Sequence, residues 1–178
     1  IEEGITYLPE NCFASNSSLL TVILPTSLEE IADGAFSDCT SLENVTLPES
    51  LLSLGVGVFS GDVGLQKIEI STENGTYTAI DGNLYNKAVT VLLQYAIGKT
   101  ETGNTFILPD SVTTIGAYAF SGSSNLVTVN LNNAVSIEDY AFENCNSLSG
   151  LIGMSDITTI GSYAFKGCTS LASVDLSS

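Results

Sequence analysis

The chain has 178 residues and is 44% hydrophobic, enough for one ordinary core and too apolar for a disordered tail. Four Lys and Arg against twenty Asp and Glu give a formal net charge of −16, which repels a phosphate backbone and excludes nucleic acid as an expected partner. His and Trp are both absent, so Ser-His-Asp and Cys-His nucleophiles and the usual imidazole metal ligands are excluded as well.

The chain opens at Ile1 without Met and without a basic segment leading into an apolar run, so no signal peptide is expected within it, and it reads either as a processed chain or as an expressed segment, either of which could have lost targeting information. No apolar stretch approaches the ~18 residues of a membrane span. A repeat then begins. Phe13, Phe36 and Phe59 are spaced by 23 residues, and each has Leu8, Ile31 or Leu54 five residues before it. Leu19, Leu42 and Leu65 lie six residues after, and Val22, Val45 and Ile68 nine after. In "LENVTLP" Val45 and Leu47 alternate with Asn44 and Thr46, which predicts a strand with one dry and one wet face, stopped by Pro48. The "AYAF"-type segments are too short for a stable α-helix and read as a helical or 3-10 turn, and stretches such as "SVTTIG" read as a second short extended segment.

The period then breaks, because 61 residues separate Phe59 from Phe120. The excess reads as an insert over residues 71–107. Its Asp81-Gly82 pair between β-prone segments and its "VTVLLQYA" run predict a small antiparallel meander projecting from the coil edge. Beyond it the repeat resumes at Phe120, Phe142 and Phe165, so that "IADGAFSDCTSLENVTL" (31–47) returns as "IGSYAFKGCTSLASVDL" (160–176) with nine identical positions, mostly apolar. What the chain copies is a building unit. One coil cannot bury its own apolar residues, so the coils must stack at ~4.8 Å with Phe upon Phe, giving a single solenoid domain over 1–178.

The pattern Ile-x-x-x-Ala-Phe-x-x-Cys-x-x-Leu-x-x-Val-x-Leu-Pro resembles the BspA-like, Treponema-type leucine-rich repeat family along nearly the whole chain. "DGNLYN" followed by "VLLQYAIGK" is similar to a recurrent element of the same family. The resemblance implies a right-handed, mainly parallel-β solenoid, secreted or displayed on a microbial cell surface and adhering to host proteins or other cells. It carries over no catalytic residues. Gly153 in place of the second strand Leu, and Asn132 and Met154 in place of Pro, depart from the pattern in the C-terminal half.

Several features could carry chemistry. Cys39, Cys145 and Cys168 share the third position after Phe; Cys145 and Cys168 should stack at ~5 Å between Cα atoms, within disulfide reach, but parallel Cβ vectors suit a bridge poorly, so free buried thiols are expected ahead of a disulfide. No Cys-x-x-Cys, calcium loop or phosphate loop is present, and no metal or cofactor is expected. Paired carboxylates among so many acids arise by accident, so no enzyme is expected. Sequons begin at Asn16, Asn44 and Asn74 at no more than background frequency. The wet strand face, with Asn44, Thr46, Lys67, Glu69, Thr128, Asn130, Ser173 and Asp175, is the candidate surface for a protein partner, and Tyr77, Tyr85 and Tyr95 of the insert are candidate aromatic anchors. The expected function is a non-enzymatic surface or secreted interaction module. A carbohydrate-binding module and a passive spacer within a longer surface protein are the alternatives.

Overall fold

The computed structural model describes residues 1–176. In chain order the strands are β1 (Tyr7–Leu8), β2 (Glu30–Ile31), β3 (Asn44–Leu47), β4 (Ser53–Leu54), β5 (Lys67–Ile70), β6 (Tyr77–Ile80), β7 (Asn83–Asn86), β8 (Val91–Gln94), β9 (Thr105–Ile107), β10 (Thr114–Ile115), β11 (Thr128–Asn130), β12 (Ser136–Ile137), β13 (Gly150–Ile152) and β14 (Thr159–Ile160). Each inner coil offers one strand to each of two walls. One wall holds β1-β2-β4 and then β8-β10-β12-β14; the other holds β3-β5 and then β9-β11-β13, which form the strand face. All of these ladders are parallel, with residues 22 or 23 apart in register, as in Val45 with Ile68 and Ile115 with Ile137.

Apolar residues of the pattern are buried through the inner coils, where Phe36, Phe59, Phe120 and Phe142 are fully buried, while Ile160 and Val174 of the last described coil are exposed. Their rings lie nearly parallel on one another, at 5.2 Å from Phe13 to Phe36, 5.8 Å from Phe36 to Phe59, 4.7 Å from Phe120 to Phe142 and 5.3 Å from Phe142 to Phe165. Offset aromatic stacking adds to the transfer energy of each ring. The "AYAF" segments form turns, not the helical turn expected. The residue two before Phe adopts a left-handed conformation, with φ from +55° to +61° at Asn11, Gly34, Gly57, Tyr118, Tyr140 and Tyr163, and this breaks any helix. In the C-terminal half the strained position is tyrosine. There the cost is offset by a second, outer ring stack: Tyr118 to Tyr140 at 4.8 Å and Tyr140 to Tyr163 at 5.1 Å.

The insert contains the expected meander: β6 pairs antiparallel with β7 and β7 with β8, and Asp81 and Gly82, both at positive φ, make the two-residue turn between β6 and β7. It does not simply project from the edge. Its third strand, β8, lies parallel to β10 with Leu92 beside Ile115, and β9 lies parallel to β11 with Phe106 beside Val129. Tyr95 takes the Phe position: its N–H donates to Ala119 O at 2.8 Å, as Phe120 N–H does to Ala141 O, and its ring lies 5.1 Å from Phe120. The solenoid therefore has about seven turns, one of them inside the insert.

Gly98 shows how tightly that turn is fitted. A Cβ there would stand 2.6 Å from the Gly64 carbonyl carbon, so only glycine allows the two backbones to meet. The Phe120 coil also touches the Phe59 coil directly, with Gly61 N–H donating to Ser121 O at 3.4 Å. At the C-terminal departure from the pattern, Gly153 turns the chain at φ +88° and Met154 supplies a buried side chain to the core.

The third position after Phe is a column of polar side chains inside the stack. Cys39, Cys145 and Cys168 donate their thiol hydrogens to the carbonyls of Phe13, Phe120 and Phe142 at 3.2, 3.1 and 3.1 Å. Asp62 fills the same position. Its Oδ1 accepts from Cys39 N–H at 2.7 Å, while its fully buried Oδ2 has no partner. Burial, reinforced by the nearby Asp38 carboxylate, pushes its pKa up to about 8 despite that hydrogen bond. The carboxyl is thus protonated in the folded chain at neutral pH.

An acid with a raised folded pKa stabilises most below its unfolded pKa of ~3.9, and that stability is lost as pH rises towards 8. Denaturation midpoints of the wild type are therefore expected to fall between pH 5 and pH 9. Those of Asp62→Asn should stay flatter over the same range, and parallel curves for the two proteins would refute the assignment.

Candidate functional site

On the strand face the parallel register sets side chains of successive coils side by side. Asn44 lies beside Lys67 and Thr46 beside Glu69, all four exposed, while Val45, Leu47 and Ile68 point into the core from the same strands. Lys67 and Glu69 form an ion pair, each about half exposed. The Lys67 ammonium, with a smaller contribution from the Thr46 hydroxyl, holds the Glu69 carboxyl below its ordinary value. Thr128 and Asn130 continue the two rows on β11, half-buried between β9 and β13. Ser173 and Asp175 are exposed in the last coil, on a segment that forms no strand among the described residues.

The strand face is thus not one uninterrupted sheet. Between β5 and β9 no ladder forms among the described residues, because the Asp81-Gly82 turn wedges in: Ile68 N–H donates to Gly82 O at 2.9 Å. Lys99 fixes the turn from the other side, donating to Asp81 O at 2.7 Å and pairing with Glu101 at 3.1 Å. The result is a cleft of about 530 Å³ where the strand face meets the insert, lined by Lys67, Glu69, Ile70, Ala79, Asp81 and Gly82.

The insert tyrosines are not presented to solvent. Tyr77, Tyr85 and Tyr95 are 8%, 1% and 1% exposed, so the expectation that they serve as surface anchors gives way to core packing. Tyr95 sits between Phe106 at 4.9 Å and Phe120 at 5.1 Å, and its hydroxyl bonds Glu101 at 3.2 Å. Burial pushes all three phenols above their ordinary pKa. The meander had to replace a coil's apolar contacts, and its aromatic rings do so.

Two residues escape a reading of the sequence alone. Ile107 on β9 stands beside Asn130 and is 59% exposed; it joins Ile23 at 82% and Ile152 at 54%, which strand alternation already places on the wet face, in making that face partly apolar. The Leu108-Pro109 pair, matching Leu47-Pro48, was the available signal for this strand. The other is Asn74, fully buried although it heads a sequon. Its amide donates to Glu49 O and Leu51 O, each at 2.8 Å, and its Oδ1 accepts from Thr76 N–H at 2.9 Å and Tyr77 N–H at 2.8 Å. It ties the start of the insert to the preceding coil. Nothing local to "ENGTY" distinguishes such a residue from an exposed one.

No group of three His, Cys, Asp or Glu side chains among the described residues is arranged to hold a metal ion. No described helix is long and apolar enough to cross a membrane.

The profile of the "BspA type Leucine rich repeat region" matches residues 6–91 and 90–178, in six copies. The chain belongs to the BspA-type leucine-rich repeat family. Among solved structures, this BspA-type chain is similar to a leucine-rich cell surface protein from Faecalibacterium prausnitzii A2-165, at 32% identity and a TM-score of 0.88 over 99% of the chain. It is also similar to the pneumococcal vaccine antigen PcpA, at 26% identity and a TM-score of 0.86 over 92% of the chain. A leucine-rich repeat protein from Eubacterium ventriosum ATCC 27560 matches 96% of the chain at 26% identity, with a TM-score of 0.69. The BspA-type chain spans 46%, 41% and 57% of these three proteins respectively. Among curated proteins, none matches it.

Two substitutions separate scaffold from surface. Asn74→Ala leaves two carbonyls and two N–H groups buried and should lower unfolding free energy by about 2–3 kcal/mol or more in a urea titration. Lys67→Ala, at an exposed ion pair, should change it by less than about 1 kcal/mol.

Proposed function

We propose that this chain is a non-enzymatic interaction module, displayed on a bacterial cell surface or secreted, that binds a protein partner through its strand face. One observation supports this most directly. The positions that vary between coils, Asn44, Thr46, Lys67 and Glu69, stand in two short rows on the β3-β5 sheet, whose opposite side is buried, and beyond the Asp81-Gly82 turn Ile107, Asn130 and Ile152 form a row of their own on β9, β11 and β13. A stacked core fixes their spacing before any partner arrives, so little ordering entropy opposes association. The cleft beside the Asp81-Gly82 turn adds the concavity that a flat sheet lacks. The cell-surface description of the Faecalibacterium protein is consistent with display.

Candidate partners are extracellular-matrix proteins, which an adhesive surface module would meet. Binding is measured by surface plasmon resonance with wild type and a Glu69→Ala/Asn130→Ala double variant of unchanged melting temperature. A loss of affinity of about tenfold or more in the double variant is expected for a partner held on this face. A partner whose affinity is the same for both proteins would place the contact elsewhere on the solenoid.

A further inference from the structure

Cys145 and Cys168 occupy the same position of successive coils, three residues after Phe142 and Phe165, whose rings stack at 5.3 Å. Backbone bonds lock the two segments in register: Phe142 N–H donates to Ala164 O at 2.8 Å and Asn144 N–H to Lys166 O at 2.7 Å. The Phe142 carbonyl accepts both the Cys145 N–H at 3.2 Å and the Cys168 thiol at 3.1 Å, which brings the Cys168 sulfur against its neighbour. Adjacent rungs of such a stack, ~4.8 Å apart, lie within the Cα separation that disulfides span.

The two thiols also differ in the way an exchange reaction needs. Cys145 is buried, whereas Cys168 is half-buried. The contact between the two thiols draws the Cys168 thiol below its ordinary pKa, while that same contact and burial push Cys145 up. Cys39 provides an internal contrast. It holds the equivalent position in the coil of Phe36, but its column neighbours are Asn16 and Asp62, and burial raises its pKa.

We propose that Cys145 and Cys168 are a redox pair, closed to a disulfide by exchange with a low-molecular-weight disulfide such as oxidised glutathione, which pins the last described coil to the one before it. The Cys168 thiolate attacks one glutathione sulfur, the glutathione disulfide bond breaks, and one glutathione leaves as thiolate. Cys145 gives its proton to that thiolate and attacks the Cys168 sulfur, breaking the mixed disulfide and releasing the second glutathione. Two protein thiols are oxidised and one glutathione disulfide is reduced to two thiols.

The full chain, reduced and then exposed under argon to oxidised glutathione, is followed by intact mass spectrometry and peptide mapping of the alkylated protein. A product lighter by two hydrogens, with Cys145 linked to Cys168 and with Cys12 and Cys39 alkylated, is expected. Cys168→Ser should abolish it and Cys39→Ser should leave it. The wild-type peptide map decides the matter even if a variant folds poorly. Glutathione retained on Cys168 without an internal bridge, or four cysteines that all remain alkylatable, would overturn the proposal.

Discussion

Every feature of this solenoid depends on one constraint: a side chain must fit onto its own equivalent one coil away. The fit works because the backbones are themselves paired. Phe13, Phe36 and Phe120 each donate their N–H to the carbonyl of the residue before the next Phe, at 2.8 to 3.0 Å, and this fixes the rings above one another. A coil in isolation has neither its hydrogen bonds nor its burial, so stability belongs to neighbours taken together. The same constraint explains what is free to vary. An inward position is seen by two coils and is restricted twice, whereas Asn44 or Lys67 on the strand face meets only its lateral neighbours and solvent.

The interruption after β5 shows how far the constraint bends. The chain leaves the stack, makes a hairpin and returns with Tyr95 standing in for Phe and Phe106 for Val. Side-chain amides, buried at Asn83 and Gln94 and half-buried at Asn86, replace the missing regular backbone partners. Asn83 accepts from Ala96 N–H at 3.0 Å, Asn86 accepts from Thr90 and Val91 N–H at 2.8 and 2.9 Å, and Gln94 donates to Tyr95 O at 2.8 Å. An unmet backbone group inside the core would cost about as much as a lost hydrogen bond, so these amides hold the insert in place. The insert in turn opens the strand face and creates its cleft.

Charge reinforces the division between scaffold and surface. Each of the four lysines is engaged within the chain: Lys67 with Glu69, Lys87 with the Thr72 carbonyl at 2.9 Å, Lys99 with Glu101, and Lys166 with Glu143 at 2.7 Å. Most of the twenty acids are left without such partners, and the surface presented to other molecules is strongly negative.

The apolar spacing around Phe13, Phe36, Phe59, Phe120, Phe142 and Phe165 determined the solenoid from sequence alone, because a buried position tolerates few residue types and its recurrence is visible without coordinates. Alternation likewise assigned Asn44, Thr46, Lys67 and Glu69 to the outer side of β3 and β5. The tertiary structure decided what depends on contacts between distant segments. It showed that the insert hides a coil, since Tyr95 and Phe106 fill Phe and Val positions that a search for identical residues passes over. It buried Tyr77, Tyr85 and Asn74, because exposure depends on which neighbour covers a side chain and not on its type. It also split the strand face at the Asp81-Gly82 turn: a two-residue turn is legible from its residues, but where its tip lands is set by the packing of the whole stack.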